Sequence, residues 1–176
     1  MAEPKKLVAE VIEAAGGKIT GRIRLQKIFY LLDQSGLESG FNYHYHHYGP
    51  FSRDLDEAVS NAQAFEGVRE VIQYRQADGM PYSVFSIEPA REGLTPPLGK
   101  LDPDRARELL ATMTAPSSTV LELAATIHWL SEKERVTDWR AELIRRKGPK
   151  TERGRMDQAF RLLGQLGLPP AIPDVA

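Results

Sequence analysis

The side chains best suited to chemistry gather in residues 41–66, FNYHYHHYGPFSRDLDEAVSNAQAFE. Three of the four histidines are there, His44, His46 and His47, interleaved with Tyr43, Tyr45 and Tyr48. In an extended strand, residues two apart point the same way, so His44 and His46 would offer imidazoles on one face, as metal ligands sometimes do. A third ligand would have to come from His128 or a carboxylate. No H-E-x-x-H, no paired Asp-x-Asp in a glycine-rich loop and no cysteine accompanies them. The preferred alternative is that imidazole and phenol rings cover a half-exposed sheet face, with His44 and His46 the only metal candidates and no cofactor expected. Ser52 has no G-x-S-x-G context and suits a helix N-cap better than a nucleophile. Neither G-x-x-x-x-G-K-[ST] nor G-x-G-x-x-G occurs. No catalytic residue is assigned, and an enzyme is not expected.

The elements that must hold these groups follow from periodicity. Residues 4–15 carry one apolar stripe, ended by Gly16-Gly17, and Lys18-Ile19 suggests a short strand. Residues 21–35 are apolar on most sides, which predicts a buried central helix, with Thr20 as its N-cap. Residues 41–48 alternate and predict a strand broken by Gly49-Pro50. Residues 53–65 then form a single-stripe helix, expected to pack on the central one. Residues 68–74 and 82–88 read as a hairpin turning at Asp78-Gly79. Further on, Asp102-Pro103 opens a helix, Thr119 and Glu122 have capping-box spacing, Thr137 caps another helix, and Thr151 opens the last.

This order predicts an α+β fold, mostly α. Residues 1–90 form a winged-helix-like unit with a small antiparallel sheet and one inserted strand. Residues 91–101 are a linker, 102–167 a helical part packed on the unit within one compact domain, and 168–176 a loose tail.

The chain has 176 residues, 41% of them apolar and 27% charged, and a net charge of −1. That suffices for a packed core and argues against nucleic-acid binding by the whole surface. No apolar run has membrane-spanning length, and MAEPKK precedes no apolar leader core, so a cytoplasmic protein without a membrane partner is expected. The outer face of helix 53–65 presents Asp54, Asp56 and Glu57 against Arg53, which would repel a duplex. Only Arg145, Arg146, Lys147, Lys150, Arg153 and Arg155 form a basic corner, with Glu152 opposing them. A solvated helix–loop–helix corner is preferred there over a phosphate-binding surface.

The segments LQKIFYLL (residues 25–32) and YHYHHYGPFSRDL (residues 43–55) resemble those of the YwgA-type bacterial proteins. More distantly they are similar to the SocA-like antitoxins that carry the Panacea domain. In those proteins a Leu-Gln-Lys helix followed by Tyr-Leu precedes a strand ending in Tyr-Gly-Pro, and a helix follows. The matching residues are Leu25, Gln26, Lys27, Tyr30 and Leu31, then Tyr48, Gly49, Pro50 and Ser52. The similarity covers the first third of the chain. The basic, helical C-terminal part departs from a minimal Panacea domain. The resemblance implies a protein that binds a toxin or presents a bound protein to a protease, beside defence or mobile-element genes.

Three functions are weighed in order: a protein-binding module, a nucleic-acid-binding regulator using the basic corner, and a metal-dependent enzyme at the histidine strand. For the first, the candidate contact residues are Lys27, Tyr30, Tyr43, Tyr45, Tyr48, Gly49 and Pro50. Each also has a structural alternative, in which Lys27 caps a carbonyl near Gly49 and Tyr48 fills a groove between helices. The partner expected is another protein, a toxin or a defence or regulatory component. Oligomeric state is left open.

Overall fold

A run of apolar side chains on every face can only be satisfied by burial on every side. In the computed structural model, which describes residues 3–88 and 98–171, that run is α2 (Arg22–Gln34), and residues 25–32 are all buried. Leu25, Ile28 and Leu32 lie in the core, as their spacing predicts. Two elements from the C-terminal part, α4 (Pro103–Thr114) and α5 (Ser118–His128), pack on α2, while α1 (Pro4–Ala14) and α3 (Arg53–Phe65) join the same core. Against expectation, α3 packs mainly on α1, while α2 packs mainly on α5. One apolar core therefore runs from Leu7 to Leu166.

Three strands, β1 (Lys18–Thr20), β4 (Arg69–Tyr74) and β5 (Pro81–Ser86), form an antiparallel sheet in the order β1-β5-β4. Helix, strand, two helices and a hairpin whose second strand sits in the middle is the winged-helix arrangement, and the β4–β5 hairpin is its wing. The hairpin turns where Asp78-Gly79 predicts. Asp78 accepts from the Met80 N–H, and Gly79 takes φ +69°. α6 (Trp139–Lys147), a 3-10 turn (Gly148–Thr151) and α7 (Arg155–Gln165) complete the fold, and a π-helical turn (Trp129–Lys133) continues α5.

Several local expectations are corrected. The strand expected over residues 41–48 is only β2 (His44–His46), and Gly49-Pro50 does not break into helix. It forms a second strand, β3 (Gly49–Phe51), which pairs back on β2 with Tyr45 opposite Pro50. Thr20 ends β1, and the N-cap of α2 is Gly21, at φ +100°. Ser117, rather than a Thr119–Glu122 box, caps α5. Asp138 replaces Thr137 as the cap of α6, and α7 begins four residues beyond Thr151, at Arg155. Ser52 and Asp102 cap α3 and α4 as expected. Residues 91–97 of the expected linker and 172–176 of the expected tail lie outside the described residues. Among the described residues no helix is long and apolar enough to cross a membrane.

Candidate binding surface

The motif pair meets in space, and it meets inward. The Gln26 carboxamide is bonded to Ser52 in both directions: Oε1 accepts the Ser52 N–H at 2.9 Å, and Nε2 donates to the Ser52 carbonyl at 2.9 Å. One residue on, Lys27 Nζ donates to the Pro50 carbonyl at 2.6 Å. Gly49 lies between α2 and α5 at φ +90°, and a Cβ there would fall 2.7 Å from Thr126 Oγ1. Leu-Gln-Lys and Tyr-Gly-Pro-x-Ser thus form a lock that docks β3 onto the helices. Buried backbone groups need partners, and a short strand paired only with β2 obtains the rest from side chains.

Beneath this lock sits a buried charge cluster. Glu122 is 2% exposed and accepts from Lys147 at 3.0 Å and from Lys150 at 3.0 and 3.1 Å. Lys147 also donates to the His47 carbonyl at 3.0 Å, tying α6 to the β2–β3 turn. Burial lowers Lys27 to about 7. The Glu122 carboxylate opposes that shift, and Lys147 and Lys150 reinforce it. Burial lowers Lys147 as well, against its bonds to Glu122.

These contacts settle where the expected contact residues lie. Lys27 and Tyr30 are 1% and 0% exposed, so both lie inside the chain rather than on its surface. Gly49 and Pro50 are buried too. The Tyr30 hydroxyl shares a 2.8 Å hydrogen bond with His128 Nδ1. Burial raises the phenol and lowers His128 to about 4, leaving the imidazole neutral at pH 7. Tyr43 donates to Asp33 Oδ2 at 2.7 Å, and its ring meets Tyr30 edge-on. Tyr45 is half-buried under the Arg146 guanidinium. Of the tyrosines proposed for contact, Tyr48 alone is exposed, at 46%, with the Lys150 ammonium 4.9 Å from its ring centre.

The histidine strand and the basic corner are also altered. His44 and His46 are exposed on one face, as alternation predicts. His128, the proposed third ligand, is turned instead to Tyr30. Among the described residues no three of His, Asp or Glu converge as a metal site would require. The basic corner is opposed by far more than Glu152. Arg145 bonds to Glu142, Arg146 to Glu134 and Glu142 at 2.7 Å each, and Lys147 and Lys150 to Glu122. Arg155 donates to the carbonyls of Lys150 and Pro149. Among the described residues only Arg153 of the six makes no hydrogen bond or ion pair.

The surface that remains lies between the hairpins. A cleft of about 460 Å³ is bounded by Tyr48, Lys150 and the first turn of α5 on one side, and by Arg75, Met80, Pro81 and Tyr82 of the wing on the other. The wing is unusually apolar outside: Val71, Ile72 and Met80 are about half exposed, and Tyr74 is 67% exposed. Sequence reasoning missed this surface, although a signal was present. Val71 and Ile72 are adjacent, so one must fall on each face of β4, and a strand with a single buried face leaves one of them in water.

No protein-family model matches the chain, and no curated protein matches it.

Proposed function

We propose that this chain is a non-catalytic protein-binding module, antitoxin-like or an accessory subunit of a bacterial defence or regulatory system, acting in the cytoplasm. The observation that carries the proposal is the exposed apolar surface of the wing, Val71, Ile72, Tyr74 and Met80, of which Met80 lines the cleft that Tyr48 also lines. Large apolar residues clustered outside a core mark contact sites, and tyrosine is enriched where binding energy concentrates. The resemblance to Panacea-type antitoxins points the same way, although the residues that carry it are built into the lock. The nucleic-acid alternative loses support because five of its six basic residues are already bonded within the chain.

The test is affinity capture from host extract with the intact protein, followed by binding measurements on a Tyr74→Ser/Met80→Ser variant and on Tyr48→Ala. The expected result is a protein partner whose affinity falls by a few kcal/mol in the double variant, as central aromatic contacts commonly give. Equal affinity in all three proteins would place the contact elsewhere. Binding to DNA with a steep salt dependence would favour the regulator instead.

A further inference from the structure

We infer that the wing binds its partner by strand addition: an extended peptide segment, acidic at its C-terminal end, pairs antiparallel with the outer edge of β4. This rests on the protein-binding role proposed above and names the form of the partner. β4 is an edge strand, paired only with β5 among the described residues. The alternation of its bonds is readable from its neighbours. Arg75 N–H donates to the Met80 carbonyl, and on the far side of β5 Gly21 N–H donates to the Ser83 carbonyl. Antiparallel pairing alternates residue by residue. Arg69, Val71 and Gln73 therefore turn their amides to β5, and Glu70, Ile72 and Tyr74 turn theirs to the open edge.

Natural edges are normally blunted by lysine, proline, a bulge or shortness. This one is six residues long, REVIQY, without lysine or proline, and its register with β5 runs unbroken from Arg69 to Tyr74. Both of its faces offer apolar contact, Val71 on one and Ile72 and Tyr74 on the other.

The charges choose the occupant. A second copy pairing antiparallel could satisfy all the outward amides only with Ile72 opposite its own counterpart. That register sets Arg69 directly opposite Arg75 on the same face, twice over; Asp78 already holds Arg75 at 2.8 Å, so Arg69 meets a second guanidinium and gains no carboxylate of its own, an unfavourable cross-strand pair. Slipping it pushes Glu70 or Tyr74 beyond the other strand. Val68, next in line, already gives its N–H to the Ala62 carbonyl. A foreign strand has no such conflict. Running antiparallel, it brings its C-terminal end beside Arg69, which makes no ion pair among the described residues. A carboxylate suits that position.

A short synthetic peptide of alternating valine and threonine, ending in aspartate, is the probe. Fluorescence anisotropy reads affinity, and amide hydrogen exchange reads the site. Strand addition requires that Ile72 and Tyr74 gain protection while Val71 and Gln73, already bonded, change little. N-methylation of alternate peptide residues should weaken binding about tenfold or more, the loss of roughly one well-made hydrogen bond or better. Arg69→Glu should reverse the preference from an aspartate-ended to a lysine-ended peptide. Ile72→Pro removes one outward N–H; should it fail to fold by circular dichroism, Ile72→Lys replaces it, and either should abolish peptide binding. No binding, equal binding of the N-methylated peptide, or protection appearing around Tyr48 instead would overturn the inference. So would protection of Ile72 and Tyr74 in concentrated protein alone with dimers in sedimentation, which would assign the edge to a second copy. A captured partner lost on Tyr74→Ser/Met80→Ser but retained by Ile72→Pro would leave the protein-binding role standing and remove strand addition alone.

Discussion

The molecule carries two small hairpins that treat their backbones in opposite ways. β2–β3 is three residues a side, and its inner edge is bonded by side chains from α2 and α6. β4–β5 is six residues a side, bonded chiefly within its own sheet, with its outer edge and apolar side chains in water. The first is held from outside, and the second leaves bonding capacity unused. A distinctive sequence motif therefore need not mark a surface. Gln26, Lys27, Gly49 and Ser52 are constrained because each has a fixed internal partner, whereas the wing is constrained by little within the fold.

Substitutions should separate the hairpins by energy. The largest effect is expected at Glu122→Gln, which leaves Lys147 buried without its counter-charge and should cost about 3–5 kcal/mol in denaturant unfolding. Gly49→Ala should follow at about 2–4 kcal/mol, combining a left-handed backbone with a contact to Thr126 that has no room to yield. If either leaves stability unchanged, the lock is not what holds the first hairpin.

Lys27 gives a finer test through pH. Its folded value is about 7 against an ordinary 10.5, so between those values the unfolded chain binds the extra proton. Stability should therefore rise as pH climbs from about 7 towards 10.5 and should lose that increment as pH falls back through 7. Lys27→Met should flatten this part of the stability–pH profile. A profile unchanged in the variant would mean that Lys27 does not titrate in this range. The smallest effect is expected in the wing. Ile72→Thr and Tyr74→Ser should each change stability by no more than about 0.5 kcal/mol, the usual range for exposed positions, while weakening partner binding. A loss of several kcal/mol there would erase the contrast between the hairpins.

What could be read from sequence divides along the same line. α3, the wing and the caps Ser52 and Asp102 were legible because each is written in adjacent residues: a stripe, a turn dipeptide, a hydroxyl or carboxylate before a helix. β3 was not. Gly-Pro-Phe opens with two residues depleted in strands, and side-chain bonds that hold it and the following Ser52 come from Gln26 and Lys27, more than 20 residues away. Glu122 has the spacing of a local cap, yet its partners are 25 and 28 residues downstream. Lys27 takes the structural alternative that sequence offered, capping a carbonyl beside Gly49, that of Pro50; what no local pattern announces is the buried Glu122 cluster next to it. Of the expected contact residues, Tyr48 survives as a surface group, since its contacts, the Lys150 ammonium and the His47 ring, are made at the surface rather than in the core.

The dependence of the first hairpin on distant partners has a consequence for the order of folding. Its bonds span 23 residues from Lys27 to Pro50 and 100 from Lys147 to His47. Loops of that length must close before the bonds can form, so β2–β3 cannot nucleate and should assemble after α2 and α5 have met. Contacts made after the transition state govern escape from the native state rather than arrival at it. Gln26→Ala should accordingly accelerate unfolding in stopped-flow experiments and leave the refolding rate nearly untouched. The lock is thus a clasp on the lifetime of the folded chain.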